Sequence, residues 1–335
     1  MQFDRLKRRD FITLAGGAAV AWPLAARAQQ TTDRVRRVGF LTPNAESDPE
    51  SQTWIKELTQ RLTELGWTSG GNIGIDYRFG NADVPLMAKA ANELIELRPD
   101  VVLAVGTQAA AALRQWTLSI PIVFVQVTDP VAGGFVTNLA RPEGNITGFT
   151  NFEFSIGGKW LSLLKECAPS VVRIAVVFEP ANPTWAAFLR TIEAAAPSFG
   201  VQLTPAGVRD GTEIDQRIAA FAREPNGALV VFPSPVTVKD RELIIAAAAR
   251  QRLPAIYPYG FFTADGGLMS YGVDVRDLYR RAALYVDRIL RGSKVAELPV
   301  QQPTKYVLAI NLKTAKTLGL TVPQTLQAAA NEVIE

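Results

Sequence analysis

Gly106-Thr107-Gln108-Ala109 follows the apolar run Val101–Val105 and opens an alanine-rich stretch. Glycine lets the backbone turn there, threonine can cap, and the first N–H groups of the ensuing helix have no partner within it. Such a helix start suits a carboxylate, bound by those N–H groups, the helix dipole and the Thr107 hydroxyl. The same residues also read as an ordinary N-cap, worth about 1 kcal/mol of stability. Asp129, Glu179 and Asp274 are carboxylates able to receive an ammonium. Asp129 and Asp274 read equally well as caps of their own helices. Tyr257, Tyr259 and Trp54 could stack on an apolar or aromatic ligand. Core or hinge packing is their alternative, and the better reading for Trp54.

Catalytic chemistry finds little support. The chain has no histidine, which removes the commonest general base, the Ser-His pair and the usual zinc ligand. Gly158-Lys159-Trp160 has tryptophan where a phosphate loop needs Ser or Thr, and Glu153 where it needs glycine. Ser162-Leu163-Leu164-Lys165 matches an S-x-x-K spacing but falls within a helix pattern, without companion motifs. No G-x-G-x-x-G follows a strand, and Asn145-Ile146-Thr147 is a sequon of little meaning behind a bacterial-type leader. A metal site would have to be all oxygen, and no acidic cluster has calcium-loop spacing. A protein without catalysis, metal or cofactor is expected.

The elements that must position these residues alternate short apolar runs with helix-period segments, the pattern of an α/β fold with largely parallel sheets. Strands are predicted at Val35–Leu41, around Ile73, Ile75 and Tyr77, at Val101–Val105 and at Ile122–Val127. Helices are predicted near 51–65, over 84–97 and over 108–116, the first with Trp54, Leu58, Leu62 and Leu65 on one face. The plan then recurs. Val171–Pro183 echoes Val35–Ala45, a Trp185 helix follows as a Trp54 helix did, and Ala228–Phe232 and a strand after Pro254 complete the copy. Val35, Gly66 at the helix end, Val101 and Pro121 are offset from Val171, Gly200, Ala228 and Pro254 by 136, 134, 127 and 133 residues, by subtraction of their numbers. Near-constant offsets imply two similar lobes. Asp274–Leu290 forms a further helix, and Pro299–Ile310 is extended with a short helix after it. That tail adds an element to each lobe, so the chain crosses between lobes several times, as in a hinge.

In open α/β sheets ligands bind beyond the carboxyl ends of the strands, which in a two-lobed protein face the cleft. The first lobe then offers Asn44 after Pro43, Thr107 with Gln108, and Thr128 with Asp129. The second offers Glu179 with Asn182, Ser234, and Tyr257 with Tyr259, with Asp274 as a further carboxylate.

Residues 1–28 read as a signal peptide. A basic segment ends in Arg8-Arg9, an apolar stretch runs from Phe11 to about Ala26, and Ala26-Arg27-Ala28 offers a cleavage site. Lys7-Arg8-Arg9-Asp10-Phe11-Ile12 resembles a twin-arginine export signal. Gln29 stands where a lipid anchor would need cysteine, so a soluble, unanchored periplasmic protein is expected. The leader also explains the net charge of +3: it holds five of the 35 basic and two of the 32 acidic residues, leaving 30 of each. A formally neutral remainder gives no field for nucleic acid or an anionic membrane. Cys167 is the single cysteine, so no intrachain disulfide can form.

Longer stretches carry a resemblance. Ile120-Pro121-Ile122-Val123-Phe124, Val127-Thr128-Asp129-Pro130-Val131 and Leu139-Ala140-Arg141-Pro142-Glu143-Gly144-Asn145-Ile146-Thr147-Gly148 are similar to segments of the ABC transporter substrate-binding family related to the tryptophan-binding protein TrpX. So are Gly266–Gly272, Asp277–Ala283, Leu298–Tyr306 and Ile310–Lys316. The resemblance covers essentially the whole mature chain. It implies a type I periplasmic-binding-protein fold: two similar Rossmann-like α/β lobes, with mainly parallel sheets, joined by a multi-crossing hinge. The expected divisions are 34–149 plus 274–296 for the first lobe and 150–273 plus 299–335 for the second. It further implies the solute-binding component of an importer, closing on a small organic molecule such as an aromatic or branched amino acid. Its partners would be that ligand and an inner-membrane permease and ATPase complex, with the protein itself a monomer. The resemblance tips Gly106-Thr107-Gln108 toward ligand binding. Two other readings share the cleft: a sensory protein that docks on a receptor, and an exported two-lobed enzyme using carboxylates.

Overall fold

In the first lobe, β1 (Arg36–Thr42), β2 (Ile73–Phe79), β3 (Val101–Val105), β4 (Ile122–Val127) and β5 (Ile146–Thr150) form one sheet in the order β2-β1-β3-β4-β5. Every pairing in it is parallel. Parallel neighbours need crossover connections, and α1 (Pro49–Glu64), α2 (Val84–Glu96) and α3 (Gly106–Arg114) supply them. Covered on both faces, β3 is buried at all five residues. Alternate side chains take opposite sides: Val101, Leu103 and Val105 join the core of Trp54, Leu58 and Leu62, while Val102 and Ala104 join Leu94 and Leu113. The protein is a computed structural model that describes residues 34–335 except Pro183. The signal peptide expected over 1–28 lies outside the described residues.

The second lobe repeats the plan. β6 (Arg173–Phe178), β7 (Gln202–Gly207), β8 (Gly227–Val231), β9 (Ala255–Tyr257) and β10 (Met269–Val273) take the order β7-β6-β8-β9-β10, matching the first sheet strand for strand. β11 (Tyr306–Asn311) then pairs antiparallel with β10, and β12 (Glu332–Ile334) pairs parallel with β11. The helices here are α4 (Ile156–Cys167), α5 (Thr184–Ala195), α6 (Gly211–Phe221), α7 (Pro235–Lys239), α8 (Arg241–Arg250) and α9 (Gly260–Ala264). The sequence pattern predicts four strands in the first copy and three in the second, so the fold adds β5, β7 and β10. Each fifth strand carries a glycine pressed against its neighbour. A Cβ on Gly148 would lie 2.0 Å from the Phe124 carbonyl oxygen, and one on Gly272 would lie 1.7 Å from that of Pro258.

Three crossings join the lobes. The first follows β5. The second delivers α10 (Val275–Leu290) from β10 back to the first lobe, where it packs on α1 and over β3, β4 and β5. Tyr279 of α10 stacks on Trp54 of α1 with centroids 5.7 Å apart. The third runs from α10 to β11, and Gln301 in it exchanges backbone bonds with β5: its N–H donates to Gly148 and its carbonyl accepts from Thr150, both at 2.9 Å. α11 (Leu312–Thr317) and α12 (Gln324–Ala329) complete the chain.

Candidate functional site

The carboxyl ends of both sheets enclose a cavity of about 60 Å³ between the lobes. From the first lobe it is lined by the loop after β1, the start of α3 and the end of β4; from the second, by the start of α5, the start of α7 and Tyr259. Asn44, Thr107, Gln108, Thr128, Asn182, Ser234 and Tyr259 are brought together here. Trp54, expected in the core, is 3 % exposed yet also borders the cavity.

At the start of α3 the structure corrects the sequence reading. Thr107 is not the cap: the helix begins at Gly106, its cap residue is Val105, and no side chain accepts from its first N–H groups. Gly106 takes a left-handed φ of 77°, which glycine enters at no steric cost and which turns the strand into the helix at the cavity wall. A helix N-terminus that no side chain has closed is a site for an anion or carbonyl oxygen. Gln108, in the same first turn, donates from Nε2 to Oε1 of Glu179 in the opposite lobe at 3.0 Å.

The end of β4 is distorted. Its register with β5 shifts between Val125 and Val127, and Gln126 between them has a φ of 59°. Such a bulge re-aims a side chain, and holding a glutamine in the left-handed region costs about 1–3 kcal/mol, which the surrounding fold must offset. Gln126 is 9 % exposed and lines the cavity, and its Nε2 has no partner among the described residues. The Thr128 hydroxyl donates to Asn151 Oδ1 at 2.8 Å, and Asn151 also sits beside the Tyr259 hydroxyl. Burial raises the Tyr259 phenol above its ordinary range, so it acts as a neutral group.

In the second lobe Glu179 directly follows β6 and is 7 % exposed. Burial raises its carboxyl above the ordinary value, with Gln108 and Ser234 offsetting only part of this. Its Oε2 has no partner among the described residues, and neither has Trp185 Nε1 at the cavity wall. Asn182 caps the start of α5, its Oδ1 accepting from the backbone N–H of Thr184 at 3.1 Å and from its hydroxyl at 2.6 Å. Ser234 and Thr237 form a reciprocal capping box that closes the start of α7. Asn44 donates to the Ser51 hydroxyl at 2.7 Å.

Three expected residues are placed elsewhere. Tyr257 is 1 % exposed and stacks on Phe262 in the core, centroids 5.1 Å apart. Asp129 accepts from Ala132 N–H at 2.9 Å in a local turn outside the cavity, with no helix for it to cap. Asp274 caps α10 and pairs with Lys305 at 2.6 Å. Burial works against its charge, yet Lys305 and the backbone N–H groups of Asp277 and Arg276 bring its carboxyl below the ordinary value. Conversely, Gln126, Asn151 and Trp185 were not singled out for ligand contact. Gln126 did leave a signal, as the lone polar residue in the buried strand Ile122–Val127.

A wider chamber of about 330 Å³ adjoins the inner cavity and shares Pro43, Asn44, Pro235 and Val238 with it. At its edge Arg241 reaches across the lobes to Asp48 at 3.2 Å, their side chains 13 % and 10 % exposed. With Gln108–Glu179, this pair ties the lobes in a closed arrangement. Among the described residues no cluster of His, Cys, Asp or Glu could hold a metal ion, and no helix is long and apolar enough to cross a membrane.

Known proteins match this architecture. The family described as ABC transporter substrate binding protein matches residues 47–334. A tyrosine-binding protein from Clostridioides difficile is 24% identical over 296 residues, 88% of this chain and 85% of that protein. The crystal structure of a conserved domain protein from Vibrio cholerae superposes with a TM-score of 0.84 at 26% identity, covering 90% of this chain and 100% of that one. An ABC domain in complex with L-Trp from Streptococcus pneumonia has a TM-score of 0.83 at 23% identity, covering 89% and 99%.

Proposed function

The chain belongs to the ABC transporter substrate-binding protein family, and from that premise we propose that it is the exported, periplasmic component of an importer, carrying an amino acid to a permease and ATPase complex. The observation that carries this reading is the interlobe cavity, where an uncapped helix start and two unpaired buried donors, Gln126 Nε2 and Trp185 Nε1, converge. Unpaired buried groups are costly, about 1–3 kcal/mol each, and a ligand that satisfies them recovers that cost on binding. The α3 start and the Gln126 and Trp185 donors suit a carboxylate or carbonyl oxygen. Trp54, Trp185 and Tyr259 suit an aromatic or branched side chain, and the outer chamber gives it room. The tyrosine- and L-Trp-binding relatives support the same ligand class.

Closure completes the site, because α3 belongs to one lobe and Glu179 to the other. A ligand touching both stabilises the closed arrangement over the open one by its differential contacts. Such a cleft performs no bond-making step. The experiment is calorimetry with thermal-shift detection on the purified mature protein, over the L-amino acids and a broad set of small carboxylates. At 100 times its Kd a true ligand adds about 2.7 kcal/mol of stability. A library in which nothing binds overturns the proposal.

A further inference from the structure

Glu179 is a buried carboxylate with one oxygen spoken for and one idle. Oε1 accepts from Gln108 at 3.0 Å across the cleft, while Oε2 has no partner among the described residues. The groups acting on its carboxyl are Gln108 and Ser234, with no cation among them. In the capping box the Ser234 hydroxyl accepts from the Thr237 N–H, which leaves its own proton for Glu179 as a neutral donor. Among the described residues no lysine or arginine lines the inner cavity, and Glu179 stands just behind its wall, against the lining residues Gln108 and Ser234. A carboxylate taken out of water without a cation is costly, and cores do not carry one for packing. Among the described residues no cation faces Glu179, so burial favours its neutral form, and a ligand amine is a cation that the cleft can bring to it.

The rest of the cavity says what else comes with it. Gln126 Nε2 and Trp185 Nε1 are buried donors without acceptors, and the start of α3 adds uncapped N–H groups. Gln126 and the α3 start present donors from the first lobe, while Glu179, on the second lobe with Trp185, presents a buried carboxyl beside Gln108. A ligand bridging them is polarised, oxygen toward α3 and nitrogen toward Glu179.

We infer that Glu179 is the specificity-determining residue of this cleft, selecting ligands with a protonated amine, which takes Oε2 while Gln108 keeps Oε1. In the ligand-free closed form Gln108 and Ser234 are its neutral partners; opening the lobes separates Gln108 from Glu179 and exposes the carboxyl to the cleft. The amine then enters first on the second lobe, and closure returns Gln108 to its place. This rests on the solute-binding reading above and goes further, by fixing the charge of the ligand and the residue that reads it.

The test uses the purified mature protein and matched probes. Each L-amino acid that binds is compared with its desamino acid, such as L-tyrosine with 3-(4-hydroxyphenyl)propanoate or L-tryptophan with indole-3-propanoate, and with its decarboxylated amine. The amine-bearing probe is expected to bind at least about 10- to 100-fold more tightly than its desamino partner. Glu179→Gln preserves shape and leaves an acceptor for Gln108. It should remove most of that preference, weakening the amino acid while leaving the desamino acid unchanged or stronger. The wild-type comparison stands even if the variant folds poorly. Desamino acids that bind as well as amino acids overturn the inference while leaving the solute-binding proposal intact, as does a variant that weakens both equally. Failure of every probe and every library compound overturns both.

Discussion

The helices that follow β3 and β8 occupy equivalent places in the two lobes and meet at the same cavity, yet their first turns differ in kind. α3 starts on Gly106 with no side chain on its N–H groups; α7 starts behind Ser234, whose hydroxyl accepts from Thr237 while Thr237 answers the Ser234 N–H. One end is left open at some cost in stability, and the other is sealed. The loops after β1 and β6 diverge in the complementary sense, Pro43 following β1 where Glu179 follows β6. On the reading proposed above, two copies of one plan serve as an oxygen-binding half and a nitrogen-binding half.

The largest effect should come from closing the open end. Thr107→Asp places a carboxylate in the first turn of α3, where it complements the helix dipole and adds about 0.3–1 kcal/mol of stability. It also puts a like charge where the ligand carboxylate belongs, so affinity for a bound amino acid should fall about 100-fold. Denaturant unfolding and calorimetry on one sample read both. A variant that gains stability and keeps its affinity shows that the ligand does not use this helix end.

Opening the sealed end should give a smaller and opposite pattern. Ser234→Ala removes the capping box and should cost about 1 kcal/mol in unfolding experiments. Affinity should drop by about tenfold at most, since the α7 end is bonded to its own chain. Equal losses of affinity in this variant and in Thr107→Asp would erase the distinction between the lobes.

The doubling itself was readable, because short apolar runs and their offsets survive in sequence, and the shared strand order follows from it. The fifth strands were not. Ile146–Thr150 and Met269–Val273 mix glycine and polar residues, and their glycines are explained only by the backbone of a neighbouring strand. The rule that ligands sit beyond strand ends brought seven named residues to the cavity. It could not say which of Tyr257 and Tyr259 would face inward. β9 ends at Tyr257 and Tyr259 is the cap residue of α9, so strand alternation does not extend from one to the other. Asp274 was equally opaque, its partner Lys305 lying 31 residues away on the next crossing. Gln126 depends on a bulge that only the pairing of β4 with β5 creates.

The subtlest expected effect separates Glu179 from the carboxylates of the surface. In the ligand-free protein burial raises its carboxyl, so the folded state holds a proton more tightly than the unfolded chain, with its ordinary value of about 4.3. Stability from this group is fully present below that ordinary value and is lost as pH rises through the raised one. The unfolding free energy of wild type minus that of Glu179→Gln should therefore decline across that window and level off above it. No other ionised side chain contributes to the shift of Glu179, which leaves the difference to report on this one group. A bound amine replaces the proton as the partner of Oε2, so saturating ligand should reduce or reverse the decline. A flat difference with and without ligand would mean that Glu179 is hydrated, and that the second lobe offers the cleft no charge of its own.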